Sequence, residues 1–387
     1  MRPRQFRWSG VEAGIRKHGG LDVALLVSDR PALAAGVYTQ NAFAAAPVLL
    51  TRRRSRRYGA LQAIVANAGN ANACTGEDGP RDARSTGRAV ARALGLAERQ
   101  VGICSTGVIG QRLPAERISA AVPAAVQALS ADPAAFAQAI LTTDTHPKIA
   151  RSSVGPAAAL GVAKGAGMIQ PKMATMLAFV ATDAVVADAA ALRASLRRVA
   201  DRTFNRVTVD GDTSTNDTLL VLANGAAGGP ALADDALDSL LFEVCDPLAR
   251  ALAEDGEGAT KLVHVHVRGA RTEGEADAAA RAVANSPLVK TALFAADANW
   301  GRIVCAVGNS GARVSTDRVA LTFDAAPLLS QGRWLGPEAE AAVTEVMKGR
   351  EYTLSIDLAV PGGAGEATVH TCDFSYDYVK INAEYRT

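Results

Sequence analysis

The sequence predicts an α/β (α+β) protein of about two domains. Three observations carry that expectation: size with apolar content, short β-rich runs alternating with segments of helical periodicity, and no long uncharged apolar run. The 387 residues are 49% apolar, enough to fill about two cores of ordinary size. The 41 Lys and Arg nearly cancel the 39 Asp and Glu, so no global field draws in nucleic acid or an anionic membrane. No apolar run approaches bilayer length, and no apolar h-region follows the basic start "MRPRQFRWSG". Neither a membrane span nor a secretory leader is expected. Cys74, Cys104, Cys245, Cys305 and Cys372 are scattered, odd in number and form no CxxC pair, which points to a reducing cytoplasm and away from zinc.

The runs "VALLV" (23–27) and "QAIVAN" (62–67) read as strands. In "DAAALRASLRRVADRTF" (188–204), Asp188 stands where a helix cap is wanted, and Leu192, Leu196, Val199 and Thr203 share one face. A second helix carries Leu237, Leu240, Leu241, Val244, Leu248 and Leu252, with Pro247 expected to kink it. Near the end "YTLSIDLAV" alternates Leu354, Ile356, Leu358 and Val360, "PGGAG" turns, and "EATVHTCDF" comes next. That pattern predicts a β-hairpin with one buried face. The Ala-rich "EGEADAAARAVA" (273–284) suggests a boundary, giving a main domain 1–284 and a smaller one 285–387.

Several motifs that would name a chemistry are missing. No G-x-G-x-x-G follows a strand and no G-x-x-x-x-G-K-[ST] occurs; "GEGATK" (256–261) has the wrong spacing and reads as a turn before the strand "LVHVHV". His264 and His266 share a strand face but have no third ligand nearby in sequence, so a satisfied-histidine reading is favoured over a metal site. "RRRSRR" (52–57) lacks interleaved aromatics and reads as a solvated helix face rather than an RNA site. "DGDTSTND" (210–217) lacks the Gly and the final Glu of a calcium loop and reads as a tight turn. No GxSxG elbow accompanies His18, His146 or His370.

A nucleophile that carries its own base needs no histidine. An N-terminal threonine is one, because its α-amine, with a pKa of about 7.7 to 8.0, can take the hydroxyl proton. Cutting the chain is the way to make it. "KGAGMIQPKMATMLAF" (164–179) has the parts for such a cut: Ala174 is small, Gly165, Gly167 and Pro171 allow a bend, and Thr175 opens an apolar strand. Ala-Thr also occurs at 181–182 and 259–260, so on these grounds an uncut loop leading into a core strand competes well.

Beyond that stretch, "AGVYTQNAFAAAPV" (35–48), "ANAGNANACTG" (66–76), "CSTGVIG" (104–110), "TTDTHPK" (142–148), "VDGDTSTNDT" (209–218), "DGEGATK" (255–261), "DANWGRI" (297–303) and the terminal "INAEYRT" occur in this order across nearly the whole chain. Together they resemble the ornithine acetyltransferase family, the self-cleaving glutamate N-acetyltransferases of arginine biosynthesis. The resemblance implies a nucleophile at Thr175 released by cleavage after Ala174, an oxyanion pair at Thr106 and Gly107, and substrate contacts at Thr143, Lys164, Thr175, Glu257, Asn382 and Thr387. Lys164 suits a substrate α-carboxylate and Glu257 suits the side-chain ammonium of ornithine. Ala166 and Lys172 depart from the hydroxyl or amide residues of many members, which bears on substrate tuning more than on catalysis.

The fold implied is an αββα-type sandwich shared with self-processing aminopeptidases, plus a smaller C-terminal α/β domain. The resemblance further implies pieces 1–174 and 175–387 that stay together, an (αβ)2 heterotetramer or larger, and a cytoplasmic enzyme with no bound cofactor or metal. N-acetylornithine and glutamate are the substrates implied, with acetyl-CoA as a further donor left open. Fold alone does not choose between transfer and hydrolysis, so an N-terminal-nucleophile aminopeptidase or amidohydrolase is the alternative, and an uncut binding protein of the same fold is a third reading.

Overall fold

A computed structural model describes residues 1–170 and 176–384. In chain order the elements are β1 (Phe6–Val11), β2 (Val23–Tyr38), α1 (Ala46–Tyr58), β3 (Ala60–Asn67), α2 (Asp78–Leu94), β4 (Val101–Ser105), α3 (Ala115–Gln127), α4 (Ala134–Ala139), β5 (Lys148–Val154), β6 (Ala157–Lys164), β7 (Leu177–Thr182) and α5 (Ala189–Arg202). Next come β8 (Val207–Thr208), β9 (Thr218–Ala223), α6 (Asp234–Glu254), β10 (Leu262–Ala270), α7 (Glu273–Ala284), α8 (Pro287–Phe294), α9 (Trp300–Gly308), β11 (Ala320–Phe323), β12 (Ala326–Ser330), β13 (Arg333–Trp334), α10 (Pro337–Met347), β14 (Glu351–Asp357), β15 (Gly365–Cys372) and α11 (Tyr376–Glu384). The class is mixed α/β, as expected from the sequence, and the strands form two mixed sheets. No helix among the described residues is long and apolar enough to cross a membrane.

The described residues divide into two compact units. One holds Met1–Asn205 and Asp212–Leu252; the other holds Arg206–Gly211 and the chain from Ala253 onward. The boundary expected near residue 285 falls inside the second unit. The Ala-rich stretch that suggested it is α7, whose Ala276, Ala279, Ala280 and Val283 are buried in one cluster with Val263, Val265 and Val267 of β10. Its small side chains are there to let a helix approach a sheet, not to loosen a linker.

In the first unit the strand order is β4-β3-β2-β9-β7-β6-β5, with β1 added on β2. The run "VALLV" is continuously apolar because both faces are covered. Val23, Leu25 and Val27 pack in a core with Val90 of α2 and with Ile118 and Val122 of α3. Ala24 and Leu26, pointing the other way, join a core with Phe136 and Phe179. In that core Trp8 meets Phe136 edge-on at 5.0 Å between ring centroids, and Phe136 meets Phe179 at 5.3 Å. Asp188 caps α5 as the sequence indicates, its carboxylate accepting from the N–H groups of Ala190 and Ala191 at 2.8 Å each. Leu192, Leu196, Val199 and Thr203 are all buried.

The order in the second unit is β13-β12-β11-β14-β10-β15-β8. This corrects the expected hairpin: β14 and β15 do not pair with each other but flank β10, which runs parallel to β14 and antiparallel to β15. The "PGGAG" turn is real, yet the chain passes over β10 rather than folding back on its neighbour. A strand from nearly a hundred residues upstream fills the gap, and local pattern carries no signal of it.

Candidate active site

At the end of β4 the chain turns through Thr106 and Gly107. Thr106 donates its N–H to Asn67 O at 2.9 Å, and Asn70 forms bridges to Thr106 and Val108. Gly107 has φ +127, and a Cβ there would stand 2.4 Å from Gly69 C and 2.5 Å from Asn70 N. Only glycine fits, because the backbone of the 66–76 loop lies against it.

That loop is held by buried amides. Ser105 Oγ donates to Asn67 Oδ1 at 2.6 Å, and Asn67 Nδ2 donates to Asn70 O at 2.9 Å. Asn216 Nδ2 donates to both Ala71 O at 2.6 Å and Ser105 O at 2.8 Å. Such a network satisfies carbonyls that the irregular turn would otherwise orphan.

Lys164, at the end of β6, is buried and donates from Nζ to Thr106 Oγ1 at 3.1 Å. Thus two residues 58 apart in sequence, expected in the same site, meet directly. Lys164 is also the partner of Leu177 across the β6–β7 pair, and Leu177 pairs in turn with Thr218 of β9. Thr218 N donates to Met176 O at 2.8 Å. The described chain therefore resumes at Met176 one residue from the partner of Lys164. Residues 171–175, which include Ala174 and Thr175, lie outside the described residues.

Beside Lys164 sits Asp144, whose side chain is fully buried with that of Lys148. Its Oδ1 accepts from Lys148 Nζ at 2.8 Å and from Gly165 N at 2.6 Å, and its Oδ2 accepts from Thr142 N at 3.1 Å. Burial alone would raise this carboxyl, but the charges of Lys164 and Lys148 and the bonds from Lys148 and Gly165 outweigh it and hold the group below its usual value. Thr143 is the half-buried residue between Thr142 and Asp144. Neither Asp144 nor Lys148 stood out in the sequence; the available signal was an acid and a lysine four apart at the entry to β5.

In the second unit Glu257 is buried in the loop after α6, and its Oε2 accepts from Asn382 Nδ2 of α11 at 2.8 Å. Asp373 holds the other end of the loop, accepting from Thr260 N at 2.8 Å, Thr260 Oγ1 at 2.6 Å and Lys261 N at 2.9 Å. Ser375 Oγ donates to Gly258 O at 2.5 Å. Gly258 has φ +68, and a Cβ on it would meet Tyr378 N at 2.4 Å. The "GEGATK" turn is thus strapped to the segment leading into α11. Thr387 lies outside the described residues.

The three strand histidines, His264, His266 and His370, are occupied with one another and with strand neighbours. His264 Nδ1 lies 2.7 Å from His370 Nδ1 and its Nε2 lies 2.9 Å from Glu351 Oε1, while His266 Nδ1 lies 3.0 Å from Thr368 Oγ1. Among the described residues no three His, Cys, Asp or Glu side chains gather as a metal site. The "RRRSRR" run is on α1, but it is not wholly a solvated face: Arg54 is buried and donates to Val101 O at 2.7 Å, tying α1 to β4. All five cysteines are free thiols.

The sequence matches the ArgJ family over residues 7–387. A curated protein from Geobacter sulfurreducens, named arginine biosynthesis bifunctional protein ArgJ, is 52% identical over 398 residues, spanning 100% of both chains. A protein of the same name from Thermus thermophilus is 49% identical over 385 residues, spanning 100% of this chain and 99% of that one. Among solved structures, the arginine biosynthesis bifunctional protein argJ from Bacillus halodurans superposes with a TM-score of 0.50 at 40% identity, covering 52% of this chain and 96% of that one. Family blocks, turn and buried lysine agree with full-length similarity, and the chain belongs to the ArgJ family.

Proposed function

We propose that this member of an arginine-biosynthesis acetyltransferase family moves the acetyl group of N2-acetylornithine to glutamate through an acetyl ester on Thr175. The observation that supports it most is the approach of Lys164 Nζ to Thr106 Oγ1 beside Gly107, at the strand pair where the chain resumes after residue 175.

Thr106 Oγ–H and Gly107 N–H supply two donors from one rigid turn, as an oxyanion hole requires. The Thr175 hydroxyl, freed by a cut after Ala174, loses its proton to its own α-amine as its oxygen attacks the acetyl carbonyl. The amide C–N bond breaks, and ornithine leaves with that proton. Glutamate then attacks the ester through its amine, the C–O bond breaks, and Thr175 regains its proton. The carboxylate of Glu257, braced by Asn382, suits the ornithine ammonium, and Lys164, Thr143, Asn382 and Thr387 complete the substrate contacts of this reading.

The length of the Bacillus halodurans chain supports the cut: matched over nearly all of itself, it spans about half of this chain, as a processed fragment would. The pieces 1–174 and 175–387 stay together as a cytoplasmic (αβ)2 assembly or larger, using no bound cofactor.

An acetyl-transfer assay with glutamate as acceptor, run with N-acetylornithine and with acetyl-CoA, tests the reading. Acetylglutamate formed from N-acetylornithine is expected. Release of acetate and ornithine with no acetylglutamate would make the protein a hydrolase instead.

A further inference from the structure

Lysine ammonium has three donors and no acceptor, so in the 3.1 Å contact between Lys164 Nζ and Thr106 Oγ1 the lysine donates and the hydroxyl oxygen accepts. The Thr106 hydroxyl hydrogen is therefore turned away from Lys164, and a neighbouring cation makes that hydrogen a stronger donor. Lys164 itself is fixed through its C-terminal neighbour. The N–H of Gly165 donates to Asp144 Oδ1 at 2.6 Å, and the same carboxylate is anchored by Lys148 Nζ at 2.8 Å and Thr142 N at 3.1 Å. The Asp144 and Lys148 side chains are both wholly buried.

Two accounts of Asp144 differ here. As a neutraliser it only balances the buried charges of Lys148 and Lys164, as a paired interior ion must. As a positioning group it sets the backbone at Gly165, and through it the reach of Lys164 to Thr106. The bond to Gly165 N favours the second, because neutralising an ammonium group needs no contact with the backbone N–H of the residue after Lys164.

We infer that Asp144 and Lys164 are positioning residues of the oxyanion hole: Asp144 fixes Lys164, and Lys164 occupies the acceptor side of the Thr106 hydroxyl so that its hydrogen faces the reacting carbonyl. The inference rests on the acetyl-threonine reading above and assigns Lys164 a task besides binding a substrate carboxylate.

The test compares two acetyl donors, N-acetylornithine and 4-nitrophenyl acetate. The second has no carboxylate or ammonium to bind but still builds an oxyanion on Thr175. Asp144→Asn should slow acetylation by both donors about ten- to a hundredfold, below or near the loss of one oxyanion donor, with a rise in the KM for N-acetylornithine, from the loosened Lys164, added to that loss of rate. A loss confined to N-acetylornithine, or to KM, overturns the inference.

Because Asp144→Asn leaves buried lysines uncompensated, Asp144→Asn with Lys148→Met is made beside it. That double variant, in which Lys164 still lacks its counter-charge, should melt closer to the wild type than Asp144→Asn alone and remain slow with both donors. Recovery of the wild-type rate would show that Asp144 only neutralises Lys148, and would overturn the inference. Cutting also builds an oxyanion, at the Ala174 carbonyl, so in a variant that is incompletely cut the cutting rate is read instead. Slowed cutting at a wild-type melting temperature supports the inference, and wild-type cutting overturns it. Wild-type protein that takes an acetyl group from neither donor refutes the proposed function rather than the role of Asp144.

Discussion

Asn382 donates a 2.8 Å hydrogen bond to Glu257, joining the last helix to the loop after α6. A buried carboxylate with one fixed amide partner is held in one orientation, which the proposed contact with an ornithine ammonium requires. Asn382→Ala is expected to raise the KM for N-acetylornithine several-fold, about the effect of losing one hydrogen bond to a charged group, with kcat changed less. Steady-state kinetics checks this; an unchanged KM would remove Glu257 and Asn382 from substrate binding.

Gly107→Ala should be severe for two separable reasons. The residue sits at φ +127 and its Cβ would press on the Gly69 and Asn70 backbone, so a loss of stability of roughly 1–3 kcal/mol or more is expected in urea denaturation. Displacing the Gly107 N–H should also lower kcat by about a hundredfold or more in whatever fraction folds.

Asn216→Ala leaves Ala71 O and Ser105 O without the donor they share, inside the packed turn behind Thr106. An unsatisfied buried carbonyl costs about 1–3 kcal/mol, so the urea midpoint should fall clearly, and kcat should fall with it because the lost bonds shape the same turn. A lower midpoint at unchanged kcat would show that the amide network holds the fold without tuning the hole.

Asp144 should make stability depend on acid. Its carboxyl is held below the ordinary aspartate value because the charges of Lys164 and Lys148 and the hydrogen bonds outweigh burial. Between the folded and unfolded values the unfolded chain binds more protons, so stability rises with pH through that window. The contribution is complete above the unfolded aspartate value of about 4 and is lost as pH falls below it. The stability gap between wild type and Asp144→Asn, measured by urea denaturation, should be constant from neutral pH to about pH 5 and shrink below about pH 4.

Features legible in the sequence were those set by local physics. The cap at Asp188, the buried stripe of α5 and the two-faced burial of Val23 to Val27 each leave a short-range pattern. The insertion of β10 between β14 and β15 leaves none, since pairing across a sheet depends on strands far apart in the chain. In the site, Thr106, Gly107 and Lys164 were reached through family resemblance, and the direct contact of Thr106 with Lys164 appears only once β4 and β6 are folded. Asp144 and Lys148 were missed because a buried ion pair and a surface one have the same letters.

The central claim is an acetyl ester on a threonine that begins a new chain. Mass spectrometry of protein quenched during turnover with N-acetylornithine measures it directly. The account predicts two pieces, 1–174 and 175–387, with one acetyl group on the second piece at the Thr175 hydroxyl, removed on adding glutamate. An intact chain that nonetheless forms acetylglutamate, or cut chains that turn over with the acetyl group held on no residue, would contradict it.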